Sequence, residues 1–366
     1  MHKTNKLSLK SISKLCSNDF LFSILIGVII IGCGTFLGWY NNKVVLANPD
    51  PHAHYQSQSK NPLSFMSDWD GPIYIRIAQQ SYTNVGNANF LPLYPILIHV
   101  VHLLLHSFLD SALIISWISF VVAIYFFIKI TKKLFLLNSN LKVFNYLVYF
   151  IFFPTAIFFL ATYSEALFAA LALGSIYAAL LKKPFLAGLL ASLVIVTNID
   201  GLLVLLLVLL ILLEEKIQYR KIFLALIEGL FGLGAFALYL KDRFNQPLAF
   251  ILSQKAHGWL NGKYSELVSS FDLFNFLFII LILLAAYYWW NKRKSFSIYA
   301  LSFLLIPIIG NQFGGFNRYV LMVFPVPWML YPILKKYPIL LTLSIVAFSV
   351  AWTYFLLQYS GGYVGG

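Results

Sequence analysis

The chain has 366 residues, of which 60% are apolar and only 11% are charged, and its formal net charge is +13. This composition excludes a soluble domain, because a globular surface of that size needs far more charged side chains. It also argues against nucleic-acid binding, because the basic residues form short clusters between apolar runs, as they do in the cytoplasmic loops of membrane proteins.

Apolar runs of about 20 residues recur along the whole sequence, and each is long enough to cross a bilayer as an α-helix. The runs are continuous, which is typical of helices rather than of barrel strands. We therefore predict an all-α polytopic membrane protein with eleven spanning helices. The predicted spans lie at approximately 20–40, 111–131, 142–161, 164–181, 184–200, 201–213, 221–240, 271–290, 296–312, 317–334 and 338–358.

The distribution of basic residues predicts the topology. The N-terminal segment 1–19 is basic, whereas segment 91–108 is apolar but contains prolines and histidines. If 91–108 does not fully cross, most of the 26 basic residues lie on the cytoplasmic side with the N-terminus, as the positive-inside rule requires. We therefore predict a re-entrant or interfacial 91–108, a cytoplasmic N-terminus and an extracytoplasmic C-terminus.

The chain is predicted to form a single integral membrane domain, 1–366, with two long extracytoplasmic segments at 41–110 and 241–270. Loops of that length are often functional. The conspicuous polar motifs lie in these segments or at the same side of the predicted spans. The topology therefore predicts one outward-facing site at the lipid boundary.

The first motif, at 67–82, begins with two aspartates around a tryptophan. After Pro72 it predicts a short helix in the outer interface. Asp70 either caps this helix or acts as a general base that takes a proton from an acceptor hydroxyl. Asp68 and Asp70 also resemble a metal-chelating pair. The residues alone leave these three interpretations open.

Further motifs place polar side chains on the same side of the membrane. Glu165 either caps the next helix or orients a substrate. Arg318 begins a predicted span, where a guanidinium either recognises a substrate phosphate or reaches the phosphates of the surrounding lipid. The three histidines of 91–108 form either a polar stripe or a metal site. Segment 197–201 is predicted to be a turn, and 241–259 a polar loop.

Carboxylates and cations on one side suit sugar transfer from a phosphate-bearing lipid. A base activates the acceptor, and a cation stabilises the departing phosphate. Two other classes stay open at this point. A lipid or solute transporter can also use outer polar loops, although the paired repeats and discontinuous helices expected of a transporter are not seen. A non-catalytic subunit of a membrane assembly is the third class.

The series of motifs resembles the PIG-V-type mannosyltransferases, which add the second mannose of GPI anchors, and their prokaryotic relatives. The stretch Trp69-Asp70-x-x-x-Tyr74-x-x-Ile77-Ala78, ending at Tyr82, resembles the first-loop signature of that family. The other matches follow in family order and are Phe90 to Pro95, Phe153-Pro154-Thr155-Ala156, Tyr163-Ser164-Glu165-x-Leu167-Phe168, Gln246-Pro247-Leu248-Ala249-Phe250 with Gln254 and Trp259, and Arg318-Tyr319 with Phe324-Pro325.

The resemblance implies a GT-C glycosyltransferase fold, and transfer of a sugar, mannose in this family, from a polyprenyl- or dolichyl-phosphate donor. It implies inversion, on the extracytoplasmic or lumenal side, with Asp70 as the general base and Asp68 as the less favoured choice. Neither a metal nor a cofactor is implied. The residues implied to bind the substrates are Trp69, Tyr74, Arg76, Tyr94, Tyr163, Glu165, Asn198, Arg243, Gln246, Gln254, Trp259, Arg318 and Tyr319.

The implied partners are the lipid-linked donor, a lipid or glycan acceptor and membrane lipids, but no nucleic acid. The implied location is the plasma membrane in a prokaryote or the endoplasmic reticulum in a eukaryote. One position departs from the family. Relatives often carry an arginine where this chain has Asn198, and Asp200 adds a negative charge. If that arginine contacts phosphate, then Arg318, Arg243 or Arg76 must compensate, or the substrate or the activity differs.

Overall fold

The computed structural model describes residues 17–45, 61–256, 271–310, 313 and 315–363. Within these ranges every regular element is a helix and no strand occurs, which confirms the all-α prediction. Trp259 and the rest of the polar loop beyond residue 256 lie outside the described residues.

The α-helices are labelled in chain order. They are α1 (Asp19–Tyr40), α2 (Gly71–Gln80), α3 (Leu93–Leu105), α4 (Phe108–Phe135), α5 (Asn140–Ile151), α6 (Glu165–Leu180), α7 (Pro184–Ile195), α8 (Gly201–Glu214), α9 (Tyr219–Phe244), α10 (Ala249–Ala256), α11 (Leu273–Trp290), α12 (Lys294–Ser302), α13 (Leu305–Gly310), α14 (Phe316–Tyr319), α15 (Pro325–Leu334) and α16 (Pro338–Ser360). Short 3₁₀ or π segments cover Asn41–Val45, Ser64–Met66, Val85–Asn89, Ala156–Phe159 and Val320–Met322.

Five of these helices are long and apolar enough to cross a membrane, namely α1 with its continuation, α4, α9, α11 and α16. Shorter apolar helices, including α3, α6, α7 and α8, pack among them. The chain is therefore an integral membrane protein. The structure does not reproduce eleven long spans, because several apolar runs form helices too short to cross a bilayer alone.

Three predicted spans are interrupted in the structure, and one of them, 296–312, divides into α12 and α13. The run 142–161 divides into α5 and the 3₁₀ segment Ala156–Phe159, with Pro154 between them. The run 317–334 divides into α14, a 3₁₀ turn and α15, which begins at Pro325. Proline lacks the N–H that a helix interior uses and clashes with the preceding turn, so an apolar run that contains one need not be one helix.

Ion pairs connect the predicted cytoplasmic segments to one another at one end of the bundle, which we call the basic end. Asp19 at the start of α1 binds Lys129 and Lys132 of α4 at 3.2 and 2.5 Å. Arg293, before α12, binds Glu215 at 2.7 Å, and Phe135 packs against Trp289 nearby. Which side of the membrane this end faces stays a prediction.

The distance from the basic end to the polar motifs can be estimated along helix α4. Ser116 donates a hydrogen bond to the carbonyl oxygen of Tyr163 at 3.2 Å, and it lies 16 positions before Lys132 along the helix. At 1.5 Å per residue this separation is about 24 Å, close to the thickness of a hydrocarbon core of about 30 Å. The motif around Tyr163 therefore lies near the membrane boundary opposite the basic end.

The packing of α7 against α9 gives a test of the fold. A Cβ at Gly188 of α7 would lie 2.7 Å from the carbonyl oxygen of Ala225, whereas a Cβ at Gly234 of α9 would meet no atom within 4 Å. We expect Gly188→Val to cost about 1–3 kcal/mol through overpacking. Gly234→Val changes helix propensity equally and is the control. Thermal unfolding in detergent compares the two, and equal melting temperatures would contradict the packing shown here.

Candidate active site

One arginine binds two carboxylates at the end of the bundle opposite the basic end. The Nη1 atom of Arg318 lies 2.5 Å from Oδ2 of Asp70, and its Nε atom lies 3.1 Å from Oε1 of Glu165. The side chains are 13%, 20% and 5% exposed for Arg318, Asp70 and Glu165, so water screens these pairs only weakly. The three residues come from distant parts of the sequence and are brought together by the fold.

The start of α2 holds Asp70 in place. Trp69 has a φ of 58°, in the left-handed region, which is costly for a bulky residue and turns the chain sharply before the helix. The backbone N–H of Asp70 donates to the Tyr163 hydroxyl at 3.3 Å. Gly71 packs directly on Thr162, where a side chain would collide. These features explain the Trp-Asp-Gly sequence at this turn.

Asp70 occupies the N-cap position of α2, but its side chain makes no capping hydrogen bond. Its carboxylate binds Arg318 instead. Ser164, before α6, likewise makes no capping bond and shares a hydrogen bond of 2.9 Å with the Tyr74 hydroxyl. The capping interpretation therefore does not describe the contacts of Asp70.

Arg318 lies on the short helix α14, which is tied to the neighbouring turn. The Thr155 hydroxyl donates to the carbonyl oxygen of Asn317 at 2.9 Å. The guanidinium carbon of Arg318 lies 5.5 Å from the ring centre of Tyr163 and 5.4 Å from that of Tyr319. Aromatic faces at such distances stabilise a cation. The position of Arg318 is thus fixed by two rings and two carboxylates.

A small cavity of about 10 Å³ adjoins this cluster. Its lining consists of Glu165, Phe168, Asn198, Asp200, Arg318, Tyr319 and Met322. A space of this size holds about one water molecule. Burial raises the pKa of Asp200 to about 6, and the nearby Arg318 opposes that rise. Asn198 and Asp200 therefore belong to the site, with Asn198 accepting the backbone N–H of Asp200 at 3.1 Å.

Two tyrosines that were predicted to bind substrate pack beside the ion-pair cluster. Tyr74 and Tyr94 are buried, and their rings meet edge to face at 5.1 Å. The Tyr94 hydroxyl lies 2.8 Å from the Ser116 hydroxyl, on α4. These tyrosines position the turn that carries Glu165, because the Tyr74 hydroxyl bonds that of Ser164 and the Tyr94 hydroxyl bonds that of Ser116.

Four other predicted residues lie away from the ion-pair cluster. Arg76 and Gln246 are exposed, and Gln254 is half-buried on α10. Arg243 donates through Nε to the carbonyl oxygen of Tyr82 at 3.3 Å. Within the described ranges, none of them forms a hydrogen bond or ion pair with Asp70, Glu165 or Arg318.

Asp68 is almost fully buried and faces different partners from those of Asp70. Its backbone N–H lies 3.3 Å from the Tyr359 hydroxyl, which donates to the carbonyl oxygen of Met66. Sequence reasoning missed Tyr359, because an aromatic residue at the end of a span is the ordinary composition of a membrane interface. Among the described residues, no group of three or more His, Cys, Asp or Glu side chains is arranged to hold a metal.

A larger groove of about 830 Å³ lies beside the cluster, between α2, α3 and α9. Its walls are mostly apolar, while Gln80, Ser81 and Tyr239 line one part of it. Val196 also lines the groove, and its carbonyl oxygen accepts the backbone N–H of Leu93 at 2.9 Å. Because Asn198 follows two residues later, this turn separates the groove from the small cavity.

The sequence was compared with known proteins. The family model described as Mannosyltransferase (PIG-V) matches residues 39–231. A curated relative, GPI mannosyltransferase 2 of Drosophila pseudoobscura pseudoobscura, is 33% identical over 117 residues, which cover 29% of this chain and 25% of that protein. The chain therefore spans about a quarter of that relative's length. Since the family match covers more than half of the 366 residues, the chain belongs to the PIG-V mannosyltransferase family.

Proposed function

We propose that the protein is a glycosyltransferase that moves mannose from a polyprenyl-phosphate donor to a lipid or glycan acceptor on the extracytoplasmic face. Family membership supports the class of reaction. The observation that carries the proposal is the contact of Arg318 with Asp70 and Glu165 at the end of the bundle opposite the basic end. A base and a phosphate-binding cation are the two groups that this reaction needs.

Asp70 accepts the proton of the acceptor hydroxyl. The hydroxyl oxygen then bonds to the anomeric carbon of the sugar from the side opposite the phosphate, so the configuration inverts. The bond between that carbon and the phosphate oxygen breaks, and the polyprenyl phosphate leaves with the electron pair. Arg318 neutralises the growing negative charge, which a guanidinium can do with two parallel hydrogen bonds. Asp70 finally releases its proton to water.

Arg318 also supplies the positive charge that relatives provide with an arginine at the position of Asn198. Both residues line the same small cavity. Arg243 binds the Tyr82 carbonyl, and Arg76 is exposed on α2. Of the three arginines that the sequence offers, Arg318 is therefore the one that we assign to the donor phosphate.

The groove between α2, α3 and α9 suits the isoprenoid chain of the donor. Its volume falls in the range of about 300–1,000 Å³ typical of ligand sites. On α9, the lining residues Gly232, Ala235, Phe236 and Tyr239 belong to the half of the helix away from its basic start. Ile96 and Val100 of α3 are 54% and 51% exposed, so the groove opens beside an apolar surface. A lipid of the outer leaflet can enter it sideways.

A substitution in the groove tests this assignment. We expect Ala235→Trp to raise the KM for undecaprenyl-phosphate mannose about tenfold, equivalent to about 1.4 kcal/mol of binding. The KM for a geranyl-phosphate analogue should stay within about twofold, because its short chain makes few of the blocked contacts. Gly234→Trp is the matched control, since a Cβ there meets nothing within 4 Å. A raised KM for the acceptor alone would assign the groove to the acceptor instead.

The proposal itself is tested with purified protein in vesicles. Radiolabelled polyprenyl-phosphate sugars are supplied with a lipid extract as acceptor, and again without it. We expect label to enter a new glycolipid only when the acceptor is present, with mannose preferred. Movement of intact donor across vesicles that lack acceptor would support a transporter. The absence of transfer from every donor would overturn the proposal.

A further inference from the structure

We propose that Arg318 acts as a clasp that holds Asp70 away from reaction until the donor binds. The donor phosphate then takes the place of the Asp70 carboxylate on the guanidinium, and Asp70 becomes free to accept a proton. Glu165 keeps its contact throughout and holds the arginine in position. This inference rests on the proposed function, and it adds an order to the binding steps.

The first observation is that the proposed base, Asp70, is already bonded to Arg318. Oδ2 of Asp70 lies 2.5 Å from Nη1 of Arg318, which is the distance of a strong charge-assisted hydrogen bond. Both side chains are largely shielded from water. A carboxylate oxygen held in this way must give up the bond before it can approach an acceptor hydroxyl. In this arrangement Asp70 is therefore not ready to act as a base.

The second observation is the size of the site. The cavity beside Arg318 has a volume of about 10 Å³, far below the roughly 300 Å³ at which ligand pockets begin. A sugar phosphate cannot enter this space unless its walls separate. Arg318 and Glu165 are two of these walls, so the guanidinium must change its contacts when the donor phosphate enters.

The third observation is that the two carboxylates use different atoms of the guanidinium. Asp70 accepts a hydrogen bond from Nη1, whereas Oε1 of Glu165 lies 3.1 Å from Nε in an ion pair that lacks hydrogen-bond geometry. A guanidinium has five N–H donors in a fixed fork. It can therefore exchange the partner at Nη1 for a phosphate while Glu165 still holds Nε. The rings of Tyr163 and Tyr319 restrict its movement further.

The order of binding follows from this geometry. The donor must bind before Asp70 is available. If the acceptor binds first, the carboxylate of Asp70 is still bonded to Arg318 and cannot accept its proton. The negative charge of Asp70 opposes the donor phosphate in two ways, by repulsion and by competition for Arg318. Removal of this charge should therefore improve binding of a lipid phosphate even though it removes the base.

The test measures binding of farnesyl phosphate to the purified full-length protein in detergent by calorimetry. We expect Asp70→Asn to bind it about fivefold more tightly than wild type, because the carboxylate that competes with the phosphate for Arg318 is lost. Asp110→Asn removes a charge elsewhere, at a residue that binds Asn61, and should leave the affinity unchanged. Farnesol, which lacks the phosphate, should show no gain with either variant.

A double variant shows whether the gain passes through Arg318. Asp70→Asn combined with Arg318→Gln should bind no more tightly than Arg318→Gln alone, because no guanidinium is left to release. Equal or weaker binding of farnesyl phosphate by Asp70→Asn, in a protein that elutes as wild type on size exclusion, would overturn the clasp. Wild-type transfer is measured separately, so the clasp can fail while the proposed function stands.

Discussion

Asp70→Asn is expected to lower kcat for sugar transfer by about 10²–10⁴-fold, the range that a general base contributes. The fold should persist, because α2 uses the backbone of Asp70. Its carbonyl oxygen accepts from Ile73 and Tyr74, and its N–H binds Tyr163. Asparagine keeps these bonds and the size of the side chain, but it cannot take the proton.

Transfer by the asparagine variant is measured with saturating donor and acceptor, so that binding differences do not hide the loss. Asp110→Asn is the control, since it removes one carboxylate from a residue whose bond to Asn61 lies outside the ion-pair cluster. Its kcat should match that of wild type within about twofold. Turnover by Asp70→Asn at the wild-type rate would refute the assignment of the base.

Arg318→Ala is expected both to abolish transfer and to destabilise the protein by about 3–5 kcal/mol. Removal of one partner of a buried ion pair leaves the other charge without compensation, and here two carboxylates lose the same partner. Arg318→Lys restores the charge but not the planar guanidinium, whose separate nitrogen atoms contact Asp70 and Glu165. We therefore expect the lysine variant to regain part of the stability and little of the activity.

The double variant Arg318→Met with Glu165→Gln separates stability from catalysis. It removes the arginine together with the charge of one of its buried acidic partners. Its melting temperature should therefore be higher than that of Arg318→Ala and closer to that of wild type. Transfer should not return, because no cation remains to bind the phosphate. Wild-type melting and wild-type transfer in Arg318→Ala would contradict the role of Arg318 in both fold and site.

The sequence predicted the class of fold because composition and the length of apolar runs depend on the membrane alone. It predicted the family from the series of motifs around Asp70, Glu165 and Arg318, and the match over 39–231, which includes the first two of them, confirms the family. Hydropathy did not show where the runs break. The prolines at 154 and 325 are visible in the sequence, but an apolar window averages over them.

The contacts of the site could not be predicted in the same way. Asp70 and Arg318 are separated by 248 positions, and their meeting depends on how α2 and α14 pack. The turn around Asp200 is an ordinary Asn-Asp-Gly pattern in sequence, although the structure places it against the arginine. Conversely, Arg76 and Arg243 belong to the predicted motifs but lie away from the cluster, because the sequence does not tell which side of a helix faces the site.

The most direct test of the central claim is a structure of the protein with a polyprenyl-phosphate lipid bound in a membrane mimetic. We expect the phosphate to lie against the guanidinium of Arg318, with the carboxylate of Asp70 moved off it and facing the open site. A phosphate bound at the basic end, or one bound elsewhere while Asp70 remains on Arg318, would contradict the account.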